Sequence, residues 1–284
     1  MIESASMPSP RPIPAAPGYL ASALRIFDLS IGEMLWSKRT IFMALIVAAP
    51  VCIALLVRTL DLLGARIVEH TNMPGPAIFG LMIWVFYLRF MVPVLGVFYG
   101  TSLIADEVDD KTITYLFTRP ISRGAVLVRK FFAYLGCTVF VVLPSVVIVY
   151  LLIVPMRGSL GGSFIDLVKD LVLLGIGLAV YGAVFAYVGA QFNRPLLIGL
   201  IFIFGWEQAA LAFPGYLKRM TVAYYLQALV PHAMPSDSVL GLIQSIFRES
   251  PSLPVSLAWL AGICLTFLSL AASVVDRREY VLEQ

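Results

Sequence analysis

Four carboxylates, Asp106, Glu107, Asp109 and Asp110, crowd one short stretch of this sequence, and Lys111, Arg119, Arg123, Arg129 and Lys130 follow them. Carboxylates this close suit three kinds of chemistry: proton transfer, cation binding, or an electrostatic seam against a partner. Proton transfer on a phosphate or acyl group needs a second gripping pattern, and none is present. There is no HExxH and no GxSxG. A phosphate-wrapping loop needs GxxxxGK[ST]; the nearest approach, GAVLVRK at 124–130, lacks the second Gly and the Ser/Thr. His70 and His232 are far apart, and Cys52, Cys137 and Cys264 all lie in apolar runs with no CxxC. Zinc sites need three or four clustered ligands, so neither a metal site nor a catalytic residue is expected. The odd, scattered cysteines also argue against a disulfide framework. Two further ionisable residues, Arg89 and Glu207, stand inside long apolar stretches.

The elements that must carry these residues follow from composition. Of 284 residues, 60% are hydrophobic and 13% charged, against about 45–50% and about 25% in soluble domains. The excess falls in runs near 20 residues, the length a bilayer demands. The expected fold is an all-α polytopic membrane protein with six transmembrane helices: 40–57, 77–105, 131–154, 171–191, 195–213 and 255–275. Pro93 and Pro144 are expected to kink the second and third. Lys169 and Asp170 read as boundary residues of the fourth, whose glycines 175, 177, 182 and 189 suit ordinary close packing.

Residues 1–18, with five prolines, read as a disordered tail. Within 19–284, the first stretch is an amphipathic helix. Tyr19, Leu20, Ala23, Leu24, Phe27, Ile31, Met34 and Leu35 recur at helical spacing, which suits the membrane interface. Both termini, the 106–130 segment and the 192–194 turn share one side and hold 12 of the 20 Lys and Arg residues; 7 lie opposite, and Arg89 lies within the membrane. The positive-inside rule makes the richer side cytoplasmic. The 214–254 loop would then lie outside, with Ser236 or Asp237 capping a helix striped by Val239, Leu240, Ile243, Ile246 and Phe247. That helix serves either as a simple cap or as a contact for an extracytoplasmic partner.

Between the second and third spans, about 104–130, the pattern is helix, break, helix. Glu107 can pair with Lys111 at i,i+4. Pro120 drives Arg119 out of helical conformation, and Ser122 can cap the helix that carries Arg123 onward. Such an elbow is either a docking surface for a soluble partner or a solvated loop whose charges enforce topology. Arg89 and Glu207 carry a similar choice. Intramembrane ionisable residues by default line a pathway or pair with one another; the alternative is a snorkelling Arg89 and a Glu207 near the outer end of its span.

Glu107, Thr112, Leu116, Pro120, Ile121, Ser122, Arg123 and Lys130, at this spacing, resemble the signature of type 2 ABC transporter permeases. Lys111 and Arg129 depart from it, standing where glycines are common. The resemblance covers roughly 19–280. It implies a membrane-spanning exporter subunit in a bacterial-type inner membrane, paired with a second permease copy. The elbow would be a coupling helix docking on a separate ABC ATPase subunit, through Glu107, Asp110, Thr112, Arg119, Pro120, Ser122 and Arg123. That subunit would bind ATP and Mg, leaving this chain with no cofactor. The lipid bilayer is the other partner, and nucleic acid is not. A self-contained secondary transporter and a polytopic membrane enzyme remain the alternatives; no internal repeat favours the former.

Overall fold

The computed structural model describes residues 38–65, 74–103, 123–156, 158–212, 216–231 and 251–277. The N-terminal tail, the amphipathic stretch, elbow residues 104–122 and the capped helix expected near 236–248 lie outside the described residues.

Every regular element described is helical. Helix α1 is Lys38–Leu60, prolonged by a π-helical turn at Asp61–Ala65. Helix α2 is Gly75–Gly100. Helices α3 and α4 are Arg123–Ile153 and Phe164–Gln191. Helix α5 runs through Pro195–Ile201, Phe202–Glu207 and Gln208–Ala212. A short 3-10 turn, Tyr216–Met220, leads to α6, Val222–Ala228, and α7 is Leu253–Arg277.

Among the described residues, five helices are long and apolar enough to cross a membrane: Phe42–Leu63, Gly75–Gly100, Gly124–Ile153, Phe164–Gln191 and Leu253–Arg277. The chain is therefore an integral membrane protein. The expected fifth span is shorter. Its apolar stretch Pro195–Ala210 is about 24 Å long at 1.5 Å per residue, against a hydrocarbon core of about 30 Å. Helix α3 starts at Arg123 and carries its charged first turns straight into the apolar run, as the sequence predicts. One other span begins earlier than expected. Helix α4 starts at Phe164 rather than Leu171, so Asp170 is not a boundary residue but a fully buried one. Lys169 does face outward, where it pairs with Asp166 at 3.0 Å.

Helices α1 to α4 alternate in direction, and α7 runs parallel to α4. At one end of the bundle, the Gly75 amide donates to the Met156 carbonyl at 2.8 Å, tying the start of α2 to the end of α3. At the other end, the Gly124 amide meets the Asp276 carboxylate, and Thr101 backs onto Gly189. That end gathers the start of α1, both flanks of the elbow, the 192–194 turn and the end of α7.

Helices α2 and α4 form the centre: 67% of each apolar window is buried, against 28% for α1 and 17% for α7. With no water to drive helices together in lipid, close approach depends on small residues and hydrogen bonds. A Cβ at Gly96 would lie 2.7 Å from Tyr181 Cβ, and one at Gly100 would lie 2.9 Å from Phe185 Cβ. One at Gly189 would lie 2.5 Å from the Thr101 carbonyl oxygen. Of the α4 glycines, 177, 182 and 189 thus serve packing within the chain, whereas Gly175 meets nothing within 4 Å. The Tyr134 hydroxyl donates to the Leu178 carbonyl at 3.0 Å, joining α3 to α4, and the Tyr87 and Ser145 hydroxyls meet at 3.1 Å between α2 and α3. The periphery exposes Leu45, Leu55, Phe140, Trp259 and Leu265, as suits a surface solvated by lipid.

Helix α2 changes winding along its length. Segments Ile83–Met91 and Gly96–Gly100 are π-helical and flank Pro93. Proline has no amide hydrogen, so the carbonyl four residues earlier, that of Arg89, loses its helical donor. The chain accommodates this by reaching further: the Val92 amide donates to the Tyr87 carbonyl, five residues back. Helix α3 continues through Pro144 and α1 through Pro50.

Candidate functional site in the membrane bundle

Arg89 and Glu207 both lie in π-helical stretches, Ile83–Met91 and Phe202–Glu207. Such stretches are rare, and single-turn π-bulges inside α-helices are frequent at functional sites. Glu207 is 2% exposed, so its carboxylate must be satisfied by the protein. Its Oε1 accepts from the Tyr181 hydroxyl at 2.6 Å and from the Ala223 amide at 3.1 Å. The Val222 amide also acts on the carboxylate electrostatically.

Those two amides belong to the first turn of α6. The first donors of a helix have no intrahelical partners and carry the positive end of its dipole. Thr221 caps the same turn, its Oγ1 accepting from the Tyr224 amide at 3.4 Å. Glu207 therefore joins α4, α5 and α6 at one carboxylate. Glu207 is about 18 Å along α5 from Pro195 at the helical rise. Helix α6 packs against it within the bundle, and Val222, Ala223, Tyr224, Tyr225 and Leu226 are all buried. Leu226 Cδ1 lies 3.5 Å from where a Cβ on Gly177, in mid-α4, would sit. On its other side, Tyr225 stacks on Trp259 of α7, ring centroids 6.0 Å apart and planes 22° apart.

Arg89, half-buried on α2, donates from Nη2 to Oε1 of Gln208 at 2.5 Å. Its guanidinium lies 5.9 Å from the Trp84 ring centroid, a cation–π distance. It also acts electrostatically on Glu207. The two ionisable residues are thus brought to one locus, but their hydrogen bonds go to different neighbours: Arg89 binds Gln208, and Glu207 binds Tyr181 and α6. The result is a buried polar seam across α2, α4, α5 and α6, with one acid, one base and an amide between them.

The seam offers acceptors, donors and opposite charges. Among the described residues, no three or more of His, Cys, Asp and Glu converge as a metal site would require. Of the elbow residues, Arg123 is the first residue of α3; Glu107, Asp110, Thr112, Arg119, Pro120 and Ser122 lie outside the described residues. Tyr181, Gln208, Thr221 and the Ala223 amide were not foreseen. Gln208 carried a weak signal, a polar residue adjacent to an intramembrane acid. Tyr181 carried none, because tyrosine is unremarkable in an apolar helix.

Comparison with known families adds one match. A model of the ABC-2 family transporter protein matches residues 32–205, which spans Arg89, the elbow and Tyr181 and ends two residues before Glu207. No curated protein sequence matches the chain. The chain belongs to the ABC-2 transporter permease family, and is a membrane-spanning transport component rather than a catalytic enzyme.

Proposed function

We propose that this chain is the permease of an ATP-driven exporter, forming one half of a translocation pathway with a second permease copy. A separate ABC ATPase binds ATP and Mg and docks on the elbow through Glu107, Asp110, Thr112, Arg119, Pro120, Ser122 and Arg123. The elbow and both termini face the cytoplasm across a bacterial-type inner membrane. The short α5 completes a sixth crossing, with α6 folding back from the outer side.

One observation carries this reading. The helices flanking the elbow, α2 and α3, meet at the same bundle end as the 192–194 turn and the end of α7. The sequence segments that lead to and from that end hold 12 of the 20 Lys and Arg residues, which favours the cytoplasm. A charged segment held there between two packed helices suits a soluble motor subunit. Arg89 and Glu207 then belong to the pathway wall or its outer closure, since intramembrane charges are costly and are retained where they work.

The test is recovery of the tagged chain from native membranes in mild detergent, with ATP hydrolysis as readout. An ATPase that accompanies the wild type, but not the double variant Glu107→Lys, Arg123→Glu, supports the reading. If no ATPase accompanies the wild type and none reconstitutes with it, the Arg89–Gln208 and Glu207–Tyr181 contacts favour the second reading, a self-contained secondary transporter.

A further inference from the structure

The third helix begins where the elbow ends, and its first turn is held from outside. The Gly124 amide donates to Asp276 Oδ1 at 2.8 Å, across 152 residues of sequence. Asp276 is the penultimate residue of α7. Its second carboxylate oxygen lies 2.8 Å from where a Cβ on residue 124 would sit, and the Ala272 carbonyl oxygen lies 3.2 Å from that point. A glycine here lets the start of α3 rest against the last turns of α7.

This bond uses a general property of helix ends. The first amides of a helix lack internal partners, and a carboxylate satisfies both the donor and the dipole. The satisfying group normally comes from the residue just before the helix. Here one comes from the other end of the chain, so the cap is also a tether between two spans. Helix α7 then continues about 37 Å at the helical rise, and Trp259 near its far end stacks on Tyr225 of α6. Helix α6 in turn donates its Ala223 amide to Glu207.

We propose that Asp276 is a positioning residue that clamps the exit of the elbow to the last span, so that a load on the elbow moves α3 and α7 together and reaches α6. The transmission half of this proposal rests on the elbow being the docking site of an ATPase; the clamp itself does not.

The test uses hydrogen–deuterium exchange on the full-length chain in lipid nanodiscs, alone and with its ATPase. In the chain alone, Asp276→Ala raises exchange at amides 123–126 roughly five- to tenfold, the local effect of losing a cap. Asp276→Asn, which keeps an acceptor oxygen, restores protection. Gly124→Ala wedges the contact without removing the carboxylate and matches Asp276→Ala, which covers the case in which that variant folds poorly. With ATPase, ATP and Mg, the wild type shows an ATP-dependent change in exchange at 222–228. Asp276→Ala and Gly124→Ala lose it while retaining the ATPase, and Asp276→Asn keeps it. Unchanged exchange at 123–126 in both Asp276→Ala and Gly124→Ala overturns the clamp. A persistent ATP response at 222–228 in them overturns the transmission. If no ATPase binds the wild type, the motor reading and the transmission fall together, and the chain-alone exchange still decides the clamp.

Discussion

Replacing Glu207 by alanine removes the acceptor for Tyr181 and Ala223 at one stroke. Tyr181 is fully buried, and Ala223 is nearly so, so water cannot take over. A buried donor left without a partner costs about 1–3 kcal/mol. Side-chain bonds between membrane helices average nearer 0.6 kcal/mol, with a maximum of about 1.7, because the unfolded chain in lipid also finds partners. Two donors at the lower figure and at the middle of the higher range bracket the loss at about 1–4 kcal/mol. Glu207→Gln keeps an oxygen for the same donors but buries two new amide hydrogens, so it is expected to recover only part of that loss. The assay is reversible unfolding in mixed micelles, with Tyr181→Phe and the double variant completing a mutant cycle. A coupling of about 0.5–3 kcal/mol is expected for groups in direct contact. Glu207→Ala within about 0.5 kcal/mol of wild type, the range of neutral surface changes, would refute the idea that this carboxylate binds α6 to the bundle. Transport measured on Glu207→Gln then separates roles: a folded but inactive variant means that the charge itself is needed.

Other expectations follow from the same geometry. Gly189→Leu forces a side chain onto the Thr101 carbonyl, 2.5 Å from its Cβ, and should abolish the monodisperse peak in size-exclusion chromatography. Gly175→Ala and Gly262→Ala meet nothing within 4 Å, and should keep that peak and slightly raise the melting temperature by removing helical glycines. Arg89→Leu strands the Gln208 amide oxygen and should lower stability by about 1–3 kcal/mol; Arg89→Leu combined with Gln208→Leu should recover part of that loss in the same unfolding assay. Lys169→Ala breaks only the exposed pair with Asp166, and should change stability by less than about 0.5 kcal/mol.

The apolar runs made most of the bundle legible, because a segment near 20 residues with few charges has little alternative to a membrane helix. Their ends were less legible. The start of α4 carries Lys169 and Asp170; charge density there reads as a boundary, although the helix continues through it. The packing of α6 within the bundle left almost no trace. Its residues VAYYLQA are neither long enough for a span nor polar enough for a loop, and only their packing on Gly177 and Trp259 assigns them a place.

Length and composition alone determined that this chain lives in a membrane, that helices cross it, and that Arg89 and Glu207 sit at a cost which demands a reason. These are properties of local transfer free energy, summed residue by residue. The partners were decided by tertiary structure. Glu207 finds Tyr181 at a separation of 26 residues and Ala223 at 16, Arg89 finds Gln208 at 119, and Asp276 finds Gly124 at 152. Inside a lipid-facing bundle every helix is apolar nearly all round, so no stripe announces which face meets which neighbour. Small residues and the few polar groups choose the pairing, and their choice appears only when the helices are packed.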